Sequence, residues 1–180
     1  MSDVEDYLGV GQDELYRETA DSFGAAMERL ARVYEADADR RRDLAQEIHI
    51  ALWRSFAGFD SRCSLRTWVY RVAHNAAISY VMRQRRNNAP LVALEDIDSL
   101  PDGRVGEESA DRSRALERLL ELVQRLKPLD RQVILSYLEG MDAVSIGEIT
   151  GISPGNVATK IHRIKQLLTR QSHQGGRHVE

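Results

Sequence analysis

Only one cysteine, Cys63, stands in this chain of 180 residues, so no internal disulfide can form and a reducing compartment is the natural setting. No apolar run approaches the ~20 residues that a membrane-spanning helix needs. The first residues, Met1-Ser2-Asp3-Val4-Glu5-Asp6, lack the basic start and apolar stretch of a signal peptide, and a cytoplasmic protein is expected. His49, His74, His162, His173 and His178 have no Cys or carboxylate partners at ligand spacing, which argues against a metal site. No nucleophile-base motif or Gly-rich phosphate loop is present, so neither an enzyme nor a cofactor is expected. No segment reads as a strand, and the expected fold class is all-α.

What is present is charge, unevenly spread. The formal net charge of −3 argues at first against nucleic acid, but the average misleads. Met1 to Leu30 sets only Arg17 and Arg29 against eight carboxylates, whereas Arg62 to Arg86 contains six arginines and no acid. The sign then reverses through Glu95, Asp96, Asp98, Asp102, Glu107, Glu108 and Asp111, and reverses again in Lys160 to Arg177, which has no carboxylate. Two basic elements separated by an acidic connector concentrate positive potential where phosphates could bind.

Hydrophobic spacing supplies the helices. Tyr16, Ala20, Phe23, Met27, Leu30 and Tyr34 mark a first helix; after a polar break at Ala36 to Arg42, Leu44, Ile48, Leu52 and Phe56 mark a second that Gly58 ends. Ser64 can cap a third, whose inward stripe is Leu65, Trp68, Val69, Val72, Ala76 and Tyr80. Residues 87–112 carry Pro90, Pro101, Gly103 and many acids, and read as an interdomain linker. Leu116, Leu119, Leu120, Val123 and Leu126 restart the helical period, Pro128 interrupts it, and Asp130 can cap a further helix that stops near Gly140. The domains expected are therefore 1–86 and 113–170, with a disordered tail at 171–180.

The sharpest local signal is Thr150-Gly151-Ile152-Ser153-Pro154-Gly155-Asn156-Val157. Gly151 can close one helix in the left-handed conformation, Ser153 can cap the next, and Pro154 suits its first position. Val157, Ile161, Ile164 and Leu168 then face inward, leaving Asn156, Thr159, Lys160, Arg163 and Gln166 outward. This is the pattern of a helix-turn-helix whose second helix enters a major groove.

These stretches together resemble the sigma factors of bacterial RNA polymerase, specifically the small two-domain extracytoplasmic-function group. The resemblance is carried by Asp43-Leu44-Ala45-Gln46-Glu47 through Trp53, by Ser64-Leu65-Arg66-Thr67-Trp68-Val69-Tyr70-Arg71-Val72-Ala73-His74-Asn75, and by Tyr137-Leu138-Glu139-Gly140 through Gly151-Ile152-Ser153 to His162-Arg163. It implies a factor that binds core RNA polymerase and directs promoter-specific initiation at minus-ten and minus-thirty-five elements. Asp43, Gln46, Glu47 and Trp53 match the surface that docks on the beta-prime clamp, and the beta flap is a second implied contact. The minus-ten strand falls to Phe59, Arg66, Trp68, Arg71, Asn75, Arg83, Arg85 and Arg86, where guanidinium groups can neutralise phosphates, rings can stack and an amide can read a base edge. The loop from Phe59 to Ser64 corresponds to a pocket for one flipped base. Asn156, Thr159, Lys160 and Arg163 match the minus-thirty-five helix, and the acidic connector matches a segment that runs through the polymerase cleft.

Departures from the family pattern include Cys63, Ser79 where an aspartate is frequent, Ala158 where lysine is common, and Gly147 and Thr150 in place of the usual alanine and leucine. An anti-sigma protein is a further partner implied by the group, though no residue announces one. The competing readings are a conventional helix-turn-helix regulator, which would need a sensory pocket in the first domain, and a helical anti-sigma type adaptor, which would leave both basic faces without a use.

Overall fold

A computed structural model describes residues 11–88 and 109–174. Among them are seven α-helices and no strand: α1 Gln12–Tyr34, α2 Ala38–Ser55, α3 Leu65–Asn88, α4 Ser109–Gln124, α5 Pro128–Leu138, α6 Ala143–Thr150 and α7 Pro154–Gln174, with a 3-10 turn at Phe56–Gly58 after α2. The all-α expectation holds. Residues 1–10, the acids from Glu95 to Glu108 and the end of the expected tail lie outside the described residues. At both ends of the span 87–112 the helices reach further than the linker reading allowed, since α3 continues to Asn88 and α4 starts at Ser109.

α1, α2 and α3 form one bundle. Leu44, Ile48 and Leu52 on α2 are fully buried between α1 and α3, each contributing about 1.5–3 kcal/mol by removing apolar surface from water. α2 begins inside the segment that composition marks as a break. Asp37 caps it, its Oδ1 accepting from the backbone N–H groups of Asp39 at 3.1 Å and Arg40 at 2.9 Å. The Arg40 N–H holds the Asp37 carboxyl below its ordinary value. A capped, solvated first turn needs no apolar period, which is why periodicity missed it.

Ser64 caps α3 as expected, accepting from the Thr67 N–H at 3.1 Å. The buried surface of α3 is wider than the predicted stripe. Leu65, Val69 and Tyr80 are buried, but Trp68, Val72 and Ala76 are only partly covered, while Tyr70, Ala73, His74 and Ala77 are buried instead. The cause is a second layer, because α5 and α6 of the other bundle pack on the opposite side of α3.

In that bundle Pro128 starts α5 rather than interrupting a helix, since the first helical position has no use for an N–H. Asp130 consequently lies in the first turn and is not the cap; its carboxylate meets the Lys160 ammonium at 2.5 Å. Gly140, at φ +77°, ends α5 where expected. The Met141 N–H reaches the Ser136 carbonyl at 3.1 Å and the Gly140 N–H reaches that of Tyr137 at 2.9 Å, a Schellman closure.

Buried polar groups join the two bundles. Arg131 donates to the Val123 carbonyl at 3.3 Å, to that of Leu126 at 3.2 Å and to that of Gln124, closing off the end of α4, and its guanidinium lies 5.2 Å from the Tyr34 ring centre. The Tyr34 hydroxyl is 3.0 Å from Nδ1 of His74, whose Nε2 is 3.3 Å from Oγ of Ser136 on α5. Gln124 also donates to the Arg32 carbonyl at 2.9 Å.

Burial pushes His74 down to about 3, so the ring is neutral and each nitrogen meets one hydroxyl. A folded value below the unfolded one means stability is fully present above about pH 6.5 and is lost progressively as pH falls toward 3. The His74 Hε1 resonance is expected to stay fixed between pH 8 and 5, with a loss of about 2 kcal/mol of unfolding free energy from this group by pH 5. Titration of that resonance near 6.5 would refute the assignment.

Candidate nucleic-acid interface

The outward face of α3 is set by its packing on two sides. Trp68, Arg71, Asn75, Ser79, Met82 and Arg86 follow one another at helical spacing along the uncovered side, with Asn75, Ser79, Met82 and Arg86 exposed. At its N-terminal end this stripe meets the loop that precedes α3. The Phe59 and Trp68 rings meet edge to face at 5.3 Å, the Arg71 guanidinium lies 5.0 Å from the Trp68 ring centre, and the Trp68 indole N–H donates to Oγ of Ser55 at 2.9 Å. Arg71 also approaches Sγ of Cys63 at 3.4 Å. Burial pushes the Cys63 thiol up, and the Arg71 charge opposes that shift.

Ser61 in this loop is buried at φ +57°, a left-handed conformation that costs a non-glycine residue about 1–2 kcal/mol. Asp60 beside it pairs with Arg62 at 2.8 Å. Neither feature has a sequence signal, because backbone strain is imposed by the packing around it.

Phe59, Trp68, Arg71 and Asn75 thus lie together, with Arg86 on the same stripe further along. The other residues expected beside them are elsewhere. Arg66 turns to the second bundle, donating to the Glu139 carbonyl, and Arg83 pairs with Glu47 on α2. Arg85 is exposed near the end of α3. Tyr80 is a core residue whose hydroxyl donates to the Arg40 carbonyl at 3.0 Å.

α2 presents a second outward stripe in Asp43, Gln46, Glu47, Ile50 and Trp53. Ile50 is 49% and Trp53 43% exposed, which makes this an apolar patch bordered by acids and amides. Sequence reasoning found all of it except Ile50, whose spacing fits the stripe. The Trp53 indole donates to Asp13 at 2.8 Å, so the start of α1 fixes the ring.

The helix-turn-helix is built as its residues dictate. Gly151 closes α6 at φ +76°, its N–H reaching the Gly147 carbonyl at 2.8 Å, and Oγ of Ser153 accepts from the Asn156 N–H at 3.3 Å. Val157 and Ile164 are buried, while Asn156, Thr159, Arg163 and Gln166 are exposed along one face. Lys160 departs from the outward set, being half-buried on the edge of α7 and held by Asp130. Among the described residues there is no group of three His, Cys, Asp or Glu side chains that could hold a metal ion, and no helix long and apolar enough to cross a membrane.

A family model described as Sigma-70 region 2 matches residues 20–87, and one described as Sigma-70, region 4 matches residues 116–168. RNA polymerase sigma factor CarQ of Myxococcus xanthus is 30% identical over 131 residues, spanning 70% of this chain and 73% of that protein. The chain belongs to the extracytoplasmic-function sigma factors. ECF RNA polymerase sigma factor SigW of Bacillus subtilis (strain 168) is 28% identical over 150 residues, spanning 79% of this chain and 78% of its own. The fold is shared with CnrH, solved in complex with the cytosolic domain of CnrY, at TM-score 0.66 and 17% identity over 95% of both chains. It is shared also with the sigma factor RpoE of Bartonella quintana, solved with the anti-sigma factor NepR, at TM-score 0.64 and 17% identity over 86% of this chain and 94% of that one. As a sigma factor the protein acts with core RNA polymerase on promoter DNA to direct transcription initiation.

Gly147 and Thr150 of this sigma factor are each tied to backbone around the turn. A Cβ on Gly147 would lie 2.8 Å from the Ile152 carbonyl oxygen, a backbone atom that only a shift of the turn could move. Thr150 turns its hydroxyl back onto the Ile146 carbonyl at 2.6 Å. Helix propensity alone would make Gly147→Ala stabilising by about 1 kcal/mol. The clash outweighs that gain, and urea denaturation is expected to show a net loss of about 1–2 kcal/mol.

Proposed function

We propose that this sigma factor divides promoter recognition between its two bundles, residues 1–86 and 113–170. The α3 stripe and the Phe59 to Ser64 loop take the unpaired minus-ten strand, and α7 takes the minus-thirty-five duplex. The observation that carries the reading is the cluster of Phe59, Trp68 and Arg71 beside exposed Asn75, in which π-faces, a cation and an amide converge on one open surface. Unstacking a base costs a few kcal/mol and each aromatic contact returns about 1–3, so a strand is held open without ATP only where several such contacts act together.

Arg85 and Arg86 extend the phosphate-binding path, and Arg66 and Arg83 join it once the Glu139 carbonyl and the Glu47 carboxylate are displaced. On α7, Asn156, Thr159 and Arg163 meet base edges and phosphates, with Lys160 at the border. The α2 stripe of Asp43, Gln46, Glu47, Ile50 and Trp53 suits docking on a helical element of the beta-prime clamp, because an apolar centre with a polar rim is what such an interface requires. The beta flap is the proposed partner of the second bundle and an anti-sigma protein its proposed regulator. The acidic connector is proposed to lie along the polymerase cleft.

Run-off transcription with purified core polymerase and a genomic fragment library is expected to yield transcripts that share upstream elements. Absence of transcripts, together with duplex binding by the protein alone, would favour a conventional regulator. On the promoter so found, Arg163→Ala is expected to reduce the log-log salt slope of holoenzyme binding by about one unit, the value of one lost phosphate contact. Asp130→Asn, which frees the Lys160 ammonium, is expected to steepen it by a similar amount. Equal slopes in all three proteins would remove both cations from the interface.

A further inference from the structure

α1 begins after Gly11 with no side-chain cap, and the polar side chains of its first turn cross to α2 instead. Gln12 donates to the Trp53 backbone carbonyl at 2.7 Å, and Asp13 accepts from the Trp53 indole N–H at 2.8 Å. Trp53 lies in the last turn of α2, where a helix leaves its own carbonyls open, so this one residue is held by main chain and ring at once. One turn further along α1 the Tyr16 hydroxyl lies 3.1 Å from Nδ1 of His49, and the two rings meet edge to face at 6.0 Å. Asp13 and Tyr16 follow each other at helical spacing on α1, as do Trp53 and His49 on α2, so the start of α1 forms a two-rung ladder along the edge of the α2 stripe.

The ladder bears on docking through the Trp53 ring. Indole carries a single polar group, its N–H, and with Asp13 accepting from it the exposed remainder of the ring is an apolar face one turn from exposed Ile50. Without that bond a half-exposed indole turns about two side-chain torsions, and a partner has to order both before it can use the ring. Tryptophan is also among the residue types that dominate interface energetics, so the orientation of this ring weighs more than that of the acids and amides around it.

We propose that Asp13 is a positioning residue for core polymerase binding: its carboxylate holds the Trp53 indole in the orientation that docks on the polymerase, and it acts through the ring without touching the partner. The proposal rests on the reading of the α2 stripe as the docking surface. It extends that surface to α1, an element to which the docking stripe owes no residue of its own.

The test is a double-mutant cycle between Asp13 and Trp53, with full-length protein and purified core RNA polymerase, read by surface plasmon resonance. Asp13→Ala is expected to weaken binding about three- to tenfold, the loss that follows when one large side chain has to be ordered on docking. Asp13→Asn removes the charge and keeps an oxygen acceptor for the indole, so it is expected to retain the parent affinity. Trp53→Phe keeps a ring and lacks the N–H; in that background Asp13→Ala is expected to add no further loss. In heteronuclear NMR spectra of the free protein, the Trp53 indole N–H is identified by its absence from Trp53→Phe. Its exchange with water is expected to be faster in Asp13→Ala than in the parent or in Asp13→Asn.

A loss from Asp13→Ala as large in the Trp53→Phe background as in the parent would overturn the proposal. So would equal losses from Asp13→Asn and Asp13→Ala, which would set the charge itself against the polymerase, and so would unchanged affinity in Asp13→Ala. Trp53→Ala reports separately on the docking reading. A loss of at least about tenfold there upholds the stripe whatever Asp13 does, whereas full affinity would remove the stripe from the interface and the positioning role with it.

Discussion

Packing on both sides of α3 is the constraint from which the remaining arrangement follows. On one side Leu65, Val69 and Tyr80 close the core of the first bundle; on the other His74 meets Ser136 of α5 and Tyr70 meets Glu139 in the turn that follows it. A helix covered on two sides leaves only a narrow stripe to solvent, and here that stripe carries Trp68, Arg71 and Asn75. The same burial makes His74 neutral and removes Tyr70 from the surface. Function is thereby confined to few residues, since each side chain on α3 is committed to one core, to the other bundle or to the open stripe.

Several of the basic groups that could meet phosphate are already paired. Arg83 lies on Glu47, Arg66 on the Glu139 carbonyl and Lys160 on Asp130. Solvated pairs of this kind are worth about 0.2–1 kcal/mol. A phosphate contact releases condensed counterions as well as forming a hydrogen bond, so at moderate salt it competes successfully with such a partner. The acids therefore reduce the affinity of the free protein for arbitrary DNA without preventing exchange at a promoter that offers many contacts at once. That resolves the apparent conflict between a net charge of −3 and a nucleic-acid partner.

Legibility in the sequence followed range. The helix-turn-helix was readable residue by residue, because Gly151, Ser153 and Pro154 act on backbone within a turn of themselves. The inward residues Val157 and Ile164 were likewise fixed by spacing. Where a group finds its partner far along the chain, local reading failed. Asp130 reads as a cap by its position, but its carboxylate belongs to Lys160, and Arg66 and Arg71, close in sequence, face different neighbours. Glu139 looked like part of a motif and not like a ligand for Arg29, 110 residues away. Nothing in periodicity encodes such pairs, because they depend on how two finished bundles meet.

The meeting of the bundles is richer in directional polar contacts than the interior of the first one. Within the first bundle the contacts are Leu44, Ile48, Leu52 and Val69, all fully buried, and separating them would expose apolar surface at about 25 cal/mol for each Å². Between the bundles the apolar core continues, and directional polar contacts are added to it: Glu139 with Arg29 and Tyr70, Ser136 with His74, Gln124 with the Arg32 carbonyl. Water can replace each of these at a net cost of about 0.5–1.5 kcal/mol per hydrogen bond, whereas it cannot replace the packing of Leu52. These polar pairs specify one arrangement through geometry while each contributes modest free energy. The buried His74 is the exception, since its ring is fully covered and each of its nitrogens meets one hydroxyl, that of Tyr34 on one side and that of Ser136 on the other, so water has no access to replace either contact while the bundles stay together.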